Sequence, residues 1–263
     1  MLTQGEHNTK SYGGYSDCAA LPVRKRLTGA MTMAIRHWEL AGAEDDRLFS
    51  PNCWRVRMAL AHKGLQAETV PWRFTEKASI AFSDQGLVPV IMDGGREVHD
   101  SWNIAVYLDD AYPDLPLLFD GAQARSLALF FKHWCERNVH SLMFRVIVMD
   151  LFGSLHEKDK PYFRESREKR FGKPLEEIGA ESHAVLPALR AAFDPVRPLI
   201  AVQSFVSGSS PGFADYVLFG PFEWARAVSP VRLLEADDPM YAWRERMLDL
   251  FDGMPRRTRG YPV

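Results

Sequence analysis

Every strand-like segment of this chain lies between residues 34 and 99, and the pattern beyond residue 122 is helical. The segments AIRHWEL and QAETVPW are strand candidates that flank a helical stretch, PNCWRVRMALAHK. VPVIM and REVH then flank Asp93-Gly94-Gly95, a sequence typical of a hairpin connection. The order β-α-β-(α)-β-β-α combines a parallel pair with an antiparallel hairpin, as in the thioredoxin-type layout. The sequence therefore predicts a thioredoxin-like α/β domain followed by an all-α domain.

Changes in composition suggest the domain boundaries. We expect a disordered extension or an upstream start before Met31 or Met33, because the first residues are polar and Gly-rich and lack the apolar core of a secretory signal. Helical patterns cover 122–152, 161–193 with a break near Gly172-Pro174, 212–228 and 237–254. The predicted divisions are an extension (1–33), a thioredoxin-like domain (34–112), a Pro-rich linker (113–122), an all-helical domain (123–255) and a tail (256–263).

Composition excludes several classes of function. The chain has 263 residues, 46% of them hydrophobic and 25% charged, as in soluble globular proteins. Its net charge of -2 argues against nucleic-acid binding. Its longest apolar stretch, SLMFRVIVMDLF, carries Arg145 and Asp150, which argues against a membrane span. Its three cysteines, Cys18, Cys53 and Cys135, are widely spaced, which favours a reducing compartment over a disulfide framework or a zinc site. We expect a cytoplasmic protein without a metal site.

The stretch Ser50-Pro51-Asn52-Cys53 has serine where a thiol redox site would begin with cysteine. Ser50 is a favourable N-cap, and Pro51 suits the first helical position. A serine without a His-Asp partner is a poor nucleophile, but at a helix N-terminus it can donate a hydrogen bond to a thiolate. Asn52 could add an amide donor. Whether Ser50 has this role or only caps the helix is left open, while Cys53 is interpreted as a small buried hydrophobic residue.

Two later motifs offer sites for parts of a peptide-like ligand. A cis Val88-Pro89 bond would present the backbone of Val88 to an extended peptide, whereas an ordinary strand-entry proline would not. Asp100 and Ser101 begin a helix, where a carboxylate and free N–H groups together suit a zwitterionic amino-acid head group. The alternative is that Asp100 is a plain N-cap.

One basic pattern indicates no functional role. The arginines at positions 164, 167 and 170 recur three residues apart, and we interpret them as a solvated helix face.

The order of these motifs resembles the cytosolic glutathione transferase family, from about residue 34 to 254. SPNCWRVRMALAHKG, DSWNIAVYLDDAYP, FADY and DDPMYAWRERMLDLFDGM are similar to bacterial glutathione-dependent β-etherases and to a related fungal class with a Ser-Pro-Asn opening. The chain departs from the family pattern in its long N-terminal extension. It also has Gly212 where many members have the Ser or Thr of a capping box.

The resemblance implies glutathione as cosubstrate and a homodimer. It implies Ser50 as the catalytic hydroxyl with Asn52 as its helper, and glutathione contacts at Gln85, Val88, Pro89, Asp100 and Ser101. We further expect aromatic residues to line an electrophile pocket, namely Phe49, Phe130, Trp134 and Phe144.

The leading hypothesis is a glutathione transferase that acts on a hydrophobic, aromatic electrophile. Ether cleavage, simple conjugation and peroxide reduction remain open as outcomes. One alternative is a protein that binds glutathione or an aromatic ligand without chemistry. Another is a thiol-disulfide oxidoreductase that works through Cys53.

Overall fold

The computed structural model describes residues 34–262, so the predicted extension and Cys18 lie outside the described part. The N-terminal domain contains two helices, α1 (Pro51–His62) and α2 (Ser101–Ala111), and a 3-10 segment, Lys77–Ser83. Its strands are β1 (Ile35–Leu40), β2 (Ala67–Trp72), β3 (Val90–Asp93) and β4 (Arg96–His99).

The sheet has the order β2-β1-β3-β4, with β1 parallel to β2 and the other pairs antiparallel. This mixed sheet confirms the predicted thioredoxin-like layout. Trp38 pairs with Val90, and Val90 pairs with His99. Because both of these pairings are antiparallel, the end of β1, the start of β3 and the end of β4 lie at the same end of the sheet.

The rest of the described chain is helical, as predicted. The helices are α3 (Gly121–Asn138), α4 (His140–Ser154), α5 (Lys160–Phe171), α6 (Leu175–Ala180), α7 (Ser182–Ala192), α8 (Arg197–Val202), α9 (Phe213–Val228) and α10 (Pro239–Arg257).

The helices match the predicted break after α5 and differ from the predicted patterns elsewhere. The pattern over 122–152 divides at Val139 into α3 and α4, because the buried Val139 departs from regular helical angles (φ -105°, ψ -48°). The predicted break after α5 is present at Gly172, whose φ is 71°. Helix α8 was not predicted, and helical geometry is interrupted over residues 250–253 within α10.

The segment predicted as a linker is packed against both domains. The Asp109 carboxylate accepts hydrogen bonds from the backbone N–H groups of Leu118 and Phe119, at 3.0 to 3.2 Å. The Phe119 ring lies 5.2 Å from that of Trp102 and 5.3 Å from that of Phe213. These contacts connect α2 to the beginning of α9.

Helix α9 begins at Gly212 with part of a capping box. The buried Asp215 accepts from the Gly212 N–H at 3.1 Å, which supplies the reciprocal half of that motif. A Cβ atom placed on Gly212 would lie only 2.6 Å from the Ser207 hydroxyl oxygen. Ser207 therefore occupies the space that a Ser or Thr side chain at position 212 would need.

Helix α9 also touches the start of α1 through Gly220. A Cβ atom at this position would lie 2.3 Å from the Pro51 carbonyl oxygen and 3.3 Å from the Pro51 Cα. Neither backbone atom belongs to a flexible side chain that could move aside. Only glycine at position 220 permits this approach. The contact fixes the position of the start of α1 relative to α9.

We expect Gly220→Ala to lower the free energy of unfolding by at least about 1–3 kcal/mol, because the added methyl group overlaps the Pro51 backbone. Gly153→Ala in α4 is the matched control, since its added Cβ meets nothing within 4 Å. There alanine should stabilise the helix by up to about 1 kcal/mol. Urea unfolding followed by circular dichroism measures both variants, and a G220A protein as stable as the wild type would contradict the steric argument.

Candidate active site

Ser50 is the N-cap of α1 and is only 6% exposed. Its Oγ accepts the backbone N–H of Cys53 at 3.3 Å, so its predicted capping role is confirmed. A hydroxyl group has two acceptor lone pairs and one proton, and the cap uses only a lone pair. The Ser50 proton therefore remains available for a further acceptor, and capping does not exclude donation to a thiolate.

Cys53 is buried, with 1% of its surface exposed. Burial, together with the nearby Glu39 carboxylate, raises the pKa of the Cys53 thiol to about 12 despite the Ser50 hydrogen bond. A thiol with this pKa is protonated at neutral pH and is a weak nucleophile. The interpretation of Cys53 as a packing residue is confirmed, and this argues against the oxidoreductase hypothesis.

Asn52 lies in the first turn of α1, beside the cap. Its Oδ1 is buried and has no hydrogen-bond partner among residues 34–262. An unsatisfied buried acceptor costs about 1–3 kcal/mol, so a ligand donor that reached Oδ1 would recover this free energy. The sequence had indicated the amide N–H group as the useful one, whereas the structure draws attention to the carbonyl oxygen.

The Val88–Pro89 peptide bond is cis. Of the two alternatives that the sequence left open, the trans strand-entry proline is therefore wrong. Val88 precedes the paired part of β3, whose ladder to β1 and β4 begins at Val90. The segment before this bond is braced by Gln85, whose amide group donates to the Leu87 carbonyl at 2.6 Å and accepts from the Leu87 N–H at 2.7 Å.

Asp100 caps α2 in an unusual backbone conformation. Its Oδ1 accepts the N–H groups of Trp102 and Asn103 at 3.0 and 3.1 Å, which confirms the N-cap interpretation. Its φ is +68°, which costs a residue with a side chain about 1–3 kcal/mol. Such strain is common at ligand sites. Ser101, the next residue, is buried at the first position of the helix.

The sheet register brings these motifs to one end of the domain. Ser50 follows β1, the Val88–Pro89 bond precedes β3, and Asp100 follows β4. They therefore surround the same sheet edge although they are far apart in sequence. This edge offers a hydroxyl proton, an extended backbone and a carboxylate beside a helix N-terminus.

Aromatic rings extend from this edge into the helical domain. We call the group the aromatic wall; its members are Phe49, Phe74, Phe144, Tyr162, Phe163, Phe171 and Trp224. The ring centroid of Phe49 lies 6.3 Å from that of Phe74, which lies 5.9 Å from that of Phe163. Phe163 in turn lies 6.2 Å from Phe144, so two of the predicted pocket residues belong to one continuous cluster.

The other two predicted pocket residues lie elsewhere on α3. Phe130 is 65% exposed, and Trp134 packs against Phe131 with ring centroids 5.0 Å apart. Within the described part of the chain, neither ring contacts the aromatic wall. The sequence placed them beside Phe144 because it treated α3 and α4 as one helix.

Arg55 was missed by sequence reasoning. It is fully buried on α1, donates to Glu136 of α3 at 2.8 Å, and lies 3.2 Å from Nε2 of His140 in α4. Burial and the Arg55 charge lower the pKa of His140 to about 3, so this imidazole is neutral and can accept the hydrogen bond. Arg55 thereby fixes α1 against the helical domain one turn beyond Ser50.

Comparisons with known proteins agree with this geometry. Family profiles described as "Glutathione S-transferase, N-terminal domain" and "Glutathione S-transferase, C-terminal domain" match residues 46–116 and 126–246. A probable glutathione transferase of Aplysia californica is 34% identical over 86 residues, which are 32% of this chain and 94% of that protein. The chain belongs to the glutathione S-transferase family.

Other members of the family are more distant or match only in part. Glutathione S-transferase Z2 of Arabidopsis thaliana is 43% identical over 70 residues, which are 24% of this chain and only 31% of that protein. A glutathione S-transferase of Ceriporiopsis subvermispora, solved in complex with glutathione, has the same fold with a TM-score of 0.71. It is 23% identical, and the match covers 84% of this chain and 97% of that one.

Among residues 34–262, no group of three His, Cys, Asp or Glu side chains is arranged to hold a metal ion. No helix in the described part of this transferase-family chain is long and apolar enough to cross a membrane.

We predict that iodoacetamide leaves Cys53 and Cys135 unmodified in the native protein. Both thiols are buried with a pKa of about 12, so at about pH 8 roughly one in ten thousand is ionised. Peptide mapping by mass spectrometry should detect labelling of both residues only after unfolding in urea. Rapid native-state labelling of Cys53 would restore the oxidoreductase hypothesis.

Proposed function

We propose that this protein is a glutathione transferase in which Ser50 donates a hydrogen bond to the glutathione thiolate. The observation that carries the proposal is the state of the Ser50 hydroxyl at the N-terminus of α1: its oxygen accepts the Cys53 N–H, and this capping bond does not use its proton. The hydrogen bond from Cys53 also makes the hydroxyl a better donor, because linked hydrogen bonds polarise one another.

The energy required is modest. Lowering a thiol pKa by two units from ~8.5 needs about 2.7 kcal/mol. A charge-assisted hydrogen bond of about 1.5–3 kcal/mol, with help from the helix dipole, supplies this amount. The reactive sulfur thus comes from the bound tripeptide, and the protein's own Cys53 stays protonated.

The remaining groups at the sheet edge suit the other parts of glutathione. The backbone of Val88, before the cis Pro89, suits pairing with the cysteinyl residue in an extended conformation. The exposed Asp100 carboxylate can pair with the γ-glutamyl ammonium, and the helix start at Ser101 attracts the adjacent carboxylate. The buried Oδ1 of Asn52 suits a ligand N–H, and Gln85 supports this edge by holding the Leu87 backbone.

The electrophile is proposed to bind against the aromatic wall, which begins at Phe49, the residue before Ser50. In β-aryl ether cleavage the thiolate attacks the carbon that bears the ether oxygen. A C–S bond forms, the C–O bond breaks, and the aryloxide leaves and takes up a proton. Conjugation to an aryl halide follows the same course with a halide as leaving group. We further propose that the protein is a cytoplasmic homodimer. Light scattering of the purified protein tests its dimeric state.

Substitutions at Ser50 separate capping from thiol activation. Ser50→Ala removes both functions, so kcat/KM should fall about tenfold to hundredfold, the value of one charge-assisted hydrogen bond. Ser50→Asp keeps an oxygen that accepts the Cys53 N–H but cannot donate to a thiolate. The kcat/KM of this variant should fall at least as far as that of Ser50→Ala, while its free energy of unfolding stays near that of the wild type. Ser50→Thr keeps the hydroxyl and should retain most of the activity.

The assay uses chlorodinitrobenzene and a chromogenic model β-aryl ether, with glutathione present. Equal kcat/KM values for wild type and S50D would contradict the role of Ser50. Glutathione binding by calorimetry without turnover of either electrophile would favour a binding protein. Activity restricted to an organic hydroperoxide would instead indicate peroxide reduction.

A further inference from the structure

Arg167 of α5 is a partly buried cation without a carboxylate partner within residues 34–262. Its guanidinium carbon lies 4.9 Å from the ring centroid of Phe163 and 5.6 Å from that of Phe74. Its one side-chain hydrogen bond goes to the neighbouring Ser166 hydroxyl, at 3.1 Å. The charge therefore rests on the aromatic wall rather than in an ion pair.

Lys77 is a second cation at the same surface. Its Nζ lies 4.9 Å from the ring centroid of Trp72 and 5.6 Å from that of Tyr162. It donates to the Gly86 carbonyl, two residues before Val88, and no carboxylate in the described structure lies within ion-pair distance. An ammonium group has three donors, so this bond leaves donor capacity for a ligand.

These two cations lie near each other. The rings on which they rest, Phe74 and Tyr162, are 5.9 Å apart. Burial lowers the pKa of Lys77, and repulsion from Arg167 lowers it further. The nearby Asp159 only partly opposes this effect, and its oxygens already accept from Phe74 and from both donors of Thr75.

The neighbouring Arg164 shows what an ordinary surface arginine does on the same helix. It pairs with Glu168 at 2.8 Å and with Glu176 at 2.7 Å. The solvated-face interpretation is wrong for Arg167, whose charge is packed against rings. The guanidinium of Arg164 also lies over a ring, 4.8 Å from the centroid of Phe152, and what distinguishes Arg164 is its two carboxylate partners. The exposed Arg170 adds positive charge beside Arg167 and lowers its pKa, after the larger effect of burial.

We propose that Lys77 and Arg167 bind the carboxylate of an aromatic electrophile whose ring lies on the aromatic wall. This inference rests on the proposed function and narrows its substrate class from apolar aromatics to aromatic acids. The wall connects this cation pair through Phe74 to Phe49, which directly precedes Ser50. If the carboxylate of the electrophile binds between Lys77 and Arg167, the aromatic ring of the electrophile lies between these cations and the glutathione thiolate. An arginine and a lysine that are partly buried against aromatic rings bind such a group more strongly than they would in open solvent.

The test compares a chlorodinitrobenzoate with the matching chlorodinitrobenzamide, which differ only in carboxylate against carboxamide. In both, the thiolate attacks the carbon that bears chlorine, a C–S bond forms, and chloride leaves. The kcat/KM for each substrate is divided by the rate constant of its uncatalysed reaction, which gives a rate enhancement for the benzoate (the acid value) and one for the benzamide (the amide value). The acid value is then divided by the amide value. We expect this ratio to exceed one in the wild type and to fall about tenfold in Arg167→Gln and in Lys77→Gln, which corresponds to about 1.4 kcal/mol.

Arg164→Gln is the matched control on the same helix and should leave the ratio unchanged, because Arg164 is already paired. Arg167→Lys keeps the charge and should keep part of the preference even if Arg167→Gln is poorly folded. In the wild type, added salt should lower the acid value more than the amide value. An unchanged ratio in both neutral variants would overturn the proposal.

Two other outcomes are informative. The cation pair could serve the glycine carboxylate of glutathione itself. In that case both variants would raise the KM for glutathione with either electrophile and leave the ratio unchanged, which would overturn the assignment to the electrophile. If neither electrophile is turned over, the proposed function fails. Calorimetry with the two preformed glutathione conjugates then decides the inference: tighter binding of the acid conjugate, lost in R167Q, supports it, and equal affinities overturn it.

Discussion

The close approach of Gly220 to the Pro51 backbone is the contact on which the geometry of this site depends. It sets where α1 begins, and the N-cap of α1 is Ser50. One turn later the buried Arg55 binds Glu136 and His140. Helix α1 therefore contacts the helical domain at two points along its length. The position of the hydroxyl is therefore a property of the interface between the domains. Substitutions in α9 should therefore alter catalysis by moving Ser50, although they do not contact a ligand.

The same helix start explains why two neighbouring residues have opposite roles. Ser50 and Cys53 lie in one turn and share a hydrogen bond, but only the serine has a proton to donate at the sheet edge. The cysteine faces the core, where burial and the Glu39 carboxylate raise its pKa to about 12. Glu39 itself is buried, a condition that would raise its pKa, but Arg57 and His37 lower it to about 2, so the negative charge near Cys53 persists at neutral pH. An internal thiolate is disfavoured here, and a thiol supplied by a ligand is not subject to this constraint.

Local signals in the sequence were sufficient for the architecture. The strands, the Asp93-Gly94-Gly95 hairpin and the caps at Ser50 and Asp100 depend on residues a few positions apart, and all are present. The division between α3 and α4 at Val139 left no comparable signal, because helical periodicity continues on both sides of it. The sequence therefore grouped Phe130 with Phe144.

Long-range packing was beyond the reach of pattern reasoning. Arg55 lies within an ordinary helical pattern, and its partners are 81 and 85 residues away. The Ser207 hydroxyl that fills the space beside Gly212 is likewise visible only in three dimensions. Gly220 did leave a trace, since a glycine inside a strongly apolar helix usually has a packing reason. The unpaired state of Arg167, in contrast with Arg164, depends on where the acidic residues of α5 and α6 point.

In the proposed mechanism the protein ionises the thiol of bound glutathione rather than a thiol of its own chain. The most direct measurement is a pH titration of the ultraviolet absorbance of the thiolate of glutathione bound to the wild-type protein, with S-methylglutathione as the blank. We expect the titration midpoint to lie about one to two pH units below the ~8.5 of a free thiol. A midpoint at or above the value for free glutathione would contradict the role assigned to Ser50.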